Sequence, residues 1–182
     1  MKIHSHALKD AKLIECRGFS DNRGQFTRIF CSDTMMQEMG LSKPLKHINH
    51  SFTARQGTIR GLRYQTAPAL EAKVVRCIRG RVFDVMIDLR KGSETFLKTQ
   101  TTEISRANNL AVYVPEGFAH GFQSLEDETE VIYMTTAAYN KECERSVRYS
   151  DPLFSIQWPL PVAEISEHDD AIPFLSENFE GI

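Results

Sequence analysis

The sequence predicts an all-β fold with two packed sheets. Short runs rich in Val, Ile, Phe and Thr recur between about residues 44 and 150, and Gly, Pro, Asn or Asp punctuates them. Helical periodicity is scarce along the same stretch. Residues 82–89 alternate: Phe83, Val85, Ile87 and Leu89 share one face, and Val82, Asp84, Met86 and Asp88 share the other. A strand with one apolar and one mixed face suits a sandwich or barrel whose interior holds a ligand. Many short strands at this spacing favour packed sheets over alternating βα units.

Taken in chain order, Asp21-Asn22-Arg23-Gly24-Gln25-Phe26 reads as a polar turn followed by an aromatic residue. Thr34 and Gln37 stand at capping-box spacing, and Gly40 follows as a stop, so a short helix is expected between them. Lys73–Ile78, a tight turn at Arg79-Gly80-Arg81, and Val82–Leu89 read as strand, turn and strand. Further strands are expected at Leu97–Ile104, Leu110–Val114, Gly121–Ser124 and Thr129–Thr136. From Asp151 on, Pro152, Pro159, Pro161 and Pro173 interrupt regular structure. That stretch is expected to wrap the sheets as irregular chain, with one helical turn after Ser166. No linker, repeat or shift in composition divides the 182 residues, so a single domain over 1–182 is expected.

The net charge of −2 offers no general attraction to nucleic acid or to an acidic membrane. No run approaches the ~20 apolar residues needed to span a bilayer, and the N-terminus lacks a secretory pattern. Cys16, Cys31, Cys77 and Cys143 lie far apart without a C-x-x-C pair. Together these features lead us to expect a cytoplasmic protein with reduced thiols.

Several residues are candidates for chemistry. His120 sits in Gly117-Phe118-Ala119-His120-Gly121, where small neighbours allow close approach of a ligand or another backbone. It reads equally as an active-site group or as a buried, satisfied histidine. His47 and His50 form H-x-x-H, which on a strand directs the two rings to opposite sides and makes a poor metal pair; no bound metal is expected. Arg23 lies in a turn able to present it to a phosphate, or simply in a solvated loop. Arg60, Arg63, Lys73 and Arg76 form a second basic set, suited to an anion if Arg63 and Lys73 share an interior with Asp84. Tyr133 is a phenolic donor if buried beside a cation, and otherwise a packing residue. Asp169 is placed to cap a helix or to reach into a site.

As an ordered set, these segments resemble the dTDP-4-dehydrorhamnose 3,5-epimerase family. The resemblance rests on Asp21 to Phe26, Asn49-His50-Ser51, Arg60-Gly61-Leu62 with Tyr64-Gln65, Lys73 to Cys77 and Asp84 to Arg90. It continues through Pro115 to Phe122, Tyr133, Asp151-Pro152, Trp158-Pro159 and Ser166 to Asp169. It implies a double-stranded β-helix, a cupin-like jelly roll with short peripheral helices, usually a homodimer that exchanges N-terminal strands. It also implies a cofactor-free site for a nucleotide-diphospho-4-keto-6-deoxyhexose. Protons next to the ketone are removed and returned from the opposite face, and a cation stabilises the enolate. By the resemblance, Lys73 faces the enolate oxygen, Tyr133 returns the proton, Asp169 orients the base, and His120 lies near substrate. Arg23, Phe26, Arg28, Asn49, Arg60 and Gln65 form the substrate-binding set, with Arg23 and Arg60 on the diphosphate.

Arg63 stands where the family has its histidine base. A guanidinium keeps its proton near neutral pH and offers only donors. An Arg63–Asp169 ion pair is therefore expected, with loss of ordinary double epimerisation. Three outcomes follow from that: single-carbon chemistry with His120 or Tyr133 as base, another reaction on a keto-sugar nucleotide, or binding without catalysis. Arg28 stands where the family usually has Glu, and an arginine only donates; a CDP- or GDP-sugar is expected in preference to dTDP. His47 and Met134 depart from the usual Gln and Lys.

Overall fold

The computed structural model describes residues 1–41 and 43–182, and all their side chains but those of Met35 and Met36. Strands come in chain order β1 (Lys2–Ser5), β2 (Lys12–Glu15), β3 (Gly18–Asp21) and β4 (Gly24–Thr27). Helix α1 (Ser32–Met39) follows, then β5 (His47–Thr53), β6 (Ile59–Gln65), β7 (Lys73–Arg79) and β8 (Arg81–Asp88). The chain continues through β9 (Thr99–Ser105), β10 (Leu110–Val114), β11 (Phe118–Ser124), β12 (Thr129–Thr135), β13 (Glu144–Ser146) and α2 (Glu167–Asp170).

A six-stranded sheet, in order β1-β2-β10-β7-β12-β5, packs on a five-stranded sheet, in order β13-β6-β11-β8-β9. The paired strands run antiparallel. This is the expected all-β cupin-like jelly roll, with the few short helices at its edge. Between the sheets lies an apolar plug drawn from both, including Val75, Val82, Met86, Ile104, Val112 and Phe122. The outer face of the six-stranded sheet is covered by α1 and its flanking chain, through Met39, Leu41, Ile14 and Met134. Chain from Val147 onward covers the other outer face, with Phe154, Trp158, Leu175 and Phe179 against Leu62, Val85, Ile87 and Leu89. Fully burying each of these aliphatic side chains contributes roughly 1.5–3 kcal/mol.

The alternation in β8 thus divides its residues as the sequence suggests. Its apolar set packs under the C-terminal wrap, while its mixed set faces the interior. The turn at Gly80 (φ 71) is present, but β7 and β8 are not hairpin partners: the chain crosses there from one sheet to the other. Gly40, at φ 67, ends α1 as expected. The helix does not start at a Thr34–Gln37 box; it begins at Ser32 after Cys31, whose side chain makes no cap bond. The helical turn expected after Ser166 is α2; Ser166 rather than Asp169 caps it, its hydroxyl accepting from the Asp169 N–H at 3.1 Å. Strand β11 begins three residues before the expected start, which places His120 inside a strand rather than ahead of one.

Strands β1 to β4 lie outside the stretch where strand signals dominate. They are four residues each and rich in polar and charged side chains, so their alternation is too brief to register. β3 and β4 form a hairpin of their own, joined by Asn22-Arg23 and paired with neither sheet. Its Phe19 and Phe26 are 80% and 70% exposed.

Candidate active site

The interior beyond the apolar plug is hollow. A cavity of about 710 Å³ is lined by β5, β6, β7, β11 and β12 and closed on one side by the segment Ala163–Ser166 with Asp169. That segment is tied to β6 by two backbone bonds, Ala163 N–H to Gly57 carbonyl and Ile59 N–H to Glu164 carbonyl.

Register explains which side chains meet there. Arg63 of β6 lies directly opposite His120 of β11, and opposed residues on antiparallel strands point to the same face. The register slips between His120 and Phe122. At that slip the strands approach so closely that a Cβ on Gly61 would come within 2.7 Å of the His120 carbonyl, and one on Gly121 within 2.5 Å of the Arg60 carbonyl. Both glycines of the Arg60-Gly61-Leu62 and His120-Gly121 motifs are there because neither strand has room for a side chain.

Arg63 forms the expected ion pair with Asp169. Its Nη2 donates to Oδ1 at 2.9 Å and Oδ2 at 3.2 Å, and its Nε to Oδ1 at 3.3 Å. Asp169 is buried, and Glu144 lies on the other edge of the guanidinium, 3.7 Å from Nη1. His120 has a carboxylate of its own: Nε2 is 2.7 Å from Asp84 Oδ2, both side chains being buried. Asp84 sits diagonally across from His120, two positions along β8 from its register partner Met86. Its Oδ1 is buried without a partner. His6 comes near it from the β1–β2 connection, bonded through Nε2 to Thr102 at 3.0 Å. Burial pushes the His6 imidazole below its ordinary value, and the Asp84 charge opposes that shift.

Lys73 enters from β7. Its Nζ donates to the Arg63 carbonyl at 3.2 Å and pairs with Glu71 Oε1 at 3.2 Å. Tyr133 of β12 and Ser51 of β5 complete the same wall, facing β6 and β11 of the other sheet. Arg60 lines the same cavity, donating from Nε to the Thr53 hydroxyl and from Nη2 to the Phe52 carbonyl. Among the described residues no carboxylate stands within ion-pair distance of it.

The five residues expected to carry chemistry, Lys73, Tyr133, His120, Asp169 and Arg63, thus all line one cavity, together with Arg60. The rest of the expected binding set does not. Arg23 is held on the hairpin by Asp21, which takes its Nη2 at 2.6 Å, and Phe26 and Arg28 are exposed beside it. Asn49 lies on the outer strand β5 in register with Tyr133 but does not line the cavity. Gln65 corrects the sequence reading most clearly. Its amide donates to the Ala69 and Ala138 carbonyls and accepts from Asn140 N–H, so the buried side chain ties two loops together and does not line the cavity. Arg76 points to the outer layer, bonded to Asn109. Met134 is buried in the outer layer and His47 is exposed on β5; neither lines the cavity. Among the described residues no cluster of three His, Cys, Asp or Glu is placed to hold a metal, and no helix is long and apolar enough to cross a membrane.

Sequence reasoning missed Glu71 and Glu144. For Glu71 a signal was present: it stands two residues before Lys73, the spacing that puts side chains on one face of an extended chain. Glu144 gave none, because β13 is three residues long and meets β6 only through the fold.

The model of the family described as dTDP-4-dehydrorhamnose 3,5-epimerase matches residues 5–177. The dTDP-4-dehydrorhamnose 3,5-epimerase of Sinorhizobium fredii is 38% identical over 178 residues, covering 97% of this chain and 91% of its own. The crystal structure of the Bacillus anthracis enzyme of that name, with TDP and PPi bound, superposes with a TM-score of 0.91 at 34% identity, covering 96% and 99% of the two chains. ChmJ, a 3'-monoepimerase from Streptomyces bikiniensis solved with dTDP-quinovose, superposes at 0.85 with 30% identity, covering 94% and 86%. The chain belongs to the dTDP-4-dehydrorhamnose 3,5-epimerase family.

Proposed function

We propose that this protein is an isomerase of a nucleotide-diphospho-4-keto-6-deoxyhexose, with its epimerisation restricted to one carbon. One observation carries the reading: Arg63 occupies the Asp169 carboxylate, so the imidazole–carboxylate pair left in the cavity is His120 with Asp84. The ketone acidifies the hydrogens on its neighbouring carbons. His120, held by Asp84, removes one of them; Lys73 stabilises the enolate oxygen; Tyr133 returns a proton from the opposite wall. Arg60, which has neutral partners only, attracts the diphosphate. The similarity to a protein described as a 3'-monoepimerase supports the idea that this fold hosts single-carbon chemistry.

The homodimer belongs to the same proposal. The hairpin β3–β4 stands apart from both sheets with two exposed phenylalanines, a surface that a second copy would cover. It would carry Arg23, Phe26 and Arg28 toward the partner's cavity. With Arg28 as a donor there, a CDP- or GDP-sugar is favoured, and tightest binding of dTDP among the three diphosphates would reject that point. The single domain over 1–182 and the cytoplasmic setting complete the reading.

The test is deuterium uptake at the carbons flanking the ketone, followed by NMR in D₂O. Exchange at one carbon, lost in His120→Ala, is the expected result. A second reading, a binding protein without catalysis, is favoured by the closed Arg63–Asp169 pair. It predicts nucleotide binding with no exchange at either carbon.

A further inference from the structure

We infer that Glu71 is a positioning residue of the cavity, holding the Lys73 ammonium in place and directing one of its N–H bonds at a ligand oxygen. The inference deepens the reading of Lys73 as the group that faces the enolate. An ammonium has three donors. Glu71 Oε1 and the Arg63 carbonyl take two of them, each at 3.2 Å. The third remains for whatever enters the cavity that Lys73 lines. Two acceptors from different segments fix a flexible four-carbon stem in one direction, which a lone lysine cannot achieve.

The charge balance of the cavity asks for this carboxylate. The Lys73 and Glu71 side chains are only 11% and 13% exposed. A buried ammonium is costly without a paired anion. The other ionisable groups facing the same space are Arg60 and Arg63 from β6, His120 from β11, Tyr133 from β12, Glu164 from the closing segment and Asp169 from α2. Asp169 is taken by Arg63, Glu164 by Arg55 and Asp84 by His120. Glu71 is therefore the carboxylate in contact with Lys73 among the described residues, and it approaches from outside the cavity lining. It matches the lysine without blocking the ligand.

Two measurements test the inference. Acylation of Lys73 by an amine-reactive reagent, read by peptide mass spectrometry at fixed pH, reports how tightly the amine is held by its two acceptors and needs no substrate. Glu71→Gln and Glu71→Ala each remove a charge-assisted bond and are expected to raise the Lys73 labelling rate about tenfold over the wild type. In turnover of the keto-sugar nucleotide, the same variants are expected to lower kcat about tenfold with little change in KM, and Glu71→Asp to recover part of the loss. Unchanged labelling in both variants, with folding intact by circular dichroism, would overturn the inference. So would a rise in KM at constant kcat. If the wild type turns over no such sugar, the proposed reaction fails, and labelling alone still decides the role of Glu71.

Discussion

Arg63→His is the most informative substitution. The arginine gives Asp169 contacts at 2.9, 3.2 and 3.3 Å. Removing one partner of a buried pair outright costs about 3–5 kcal/mol. An imidazole that donates one N–H to the same carboxylate keeps a charge-assisted bond, and the Arg63 side chain is 44% exposed, so the expected stability cost is only about 1–2 kcal/mol. In return the site gains a second imidazole–carboxylate pair, across the strand pair from His120. A positioned general base contributes about 10²–10⁴-fold, equivalent to roughly 3–5 kcal/mol of barrier. The assay is deuterium incorporation at both carbons flanking the ketone, followed by NMR. Exchange at the second carbon should rise by that factor, and adding Asp169→Asn should abolish the gain. A variant that folds, binds nucleotide as the wild type does, and still leaves the second carbon unexchanged would refute the idea that the guanidinium is what restricts the chemistry.

Three other outcomes are expected. Asp84→Asn keeps the shape of the His120 partner but not its charge, and should lower the exchange rate by about 100-fold or more while leaving nucleotide affinity nearly unchanged; equal exchange in variant and wild type would remove His120–Asp84 from the mechanism. Asp88 is fully buried; burial alone would raise its carboxyl, but the Arg90 fork and the Ser93 and Thr95 hydroxyls outweigh that and hold it below the ordinary 3.8. A carboxyl depressed in the folded state stabilises above 3.8 and loses that contribution as pH falls through and below it; Asp88→Asn should cost about 2–4 kcal/mol at pH 7 and flatten the acid limb of a urea-unfolding series, and an unchanged limb would sink the assignment. In the proposed homodimer, Phe19→Ser with Phe26→Ser should shift sedimentation from dimer toward monomer, whereas an intact dimer would place the subunit contact elsewhere.

Gln65 and Glu71 show why a motif can be legible while its duties are not. Both flank residues that line the cavity, and both are polar side chains beside a strand end. Only the fold shows that Gln65 spends its amide on the 69 and 138–140 loops, whereas Glu71 turns to a lysine at the cavity wall. The duty of Gln65 depends on a partner 75 residues away, whereas Glu71 meets a lysine two residues on, and only the fold shows that this lysine lines the cavity.

What the chain wrote locally was readable. The two-residue alternation of β8, the stop at Gly40, the helical turn after Ser166 and the four-proline tail each depend on a few adjacent residues obeying backbone sterics, and each stands in the structure. So does the Arg63–Asp169 ion pair that the charge at position 63 implied. The tertiary structure alone decided what met across space: Arg63 opposite His120, Asp84 behind that imidazole, Glu144 beside the guanidinium and the hairpin β3–β4 held apart. Those encounters follow from register, from the slip at Gly61 and Gly121, and from which sheet each strand joins. All three are settled by long-range pairing and packing, whose energies no short window of sequence contains.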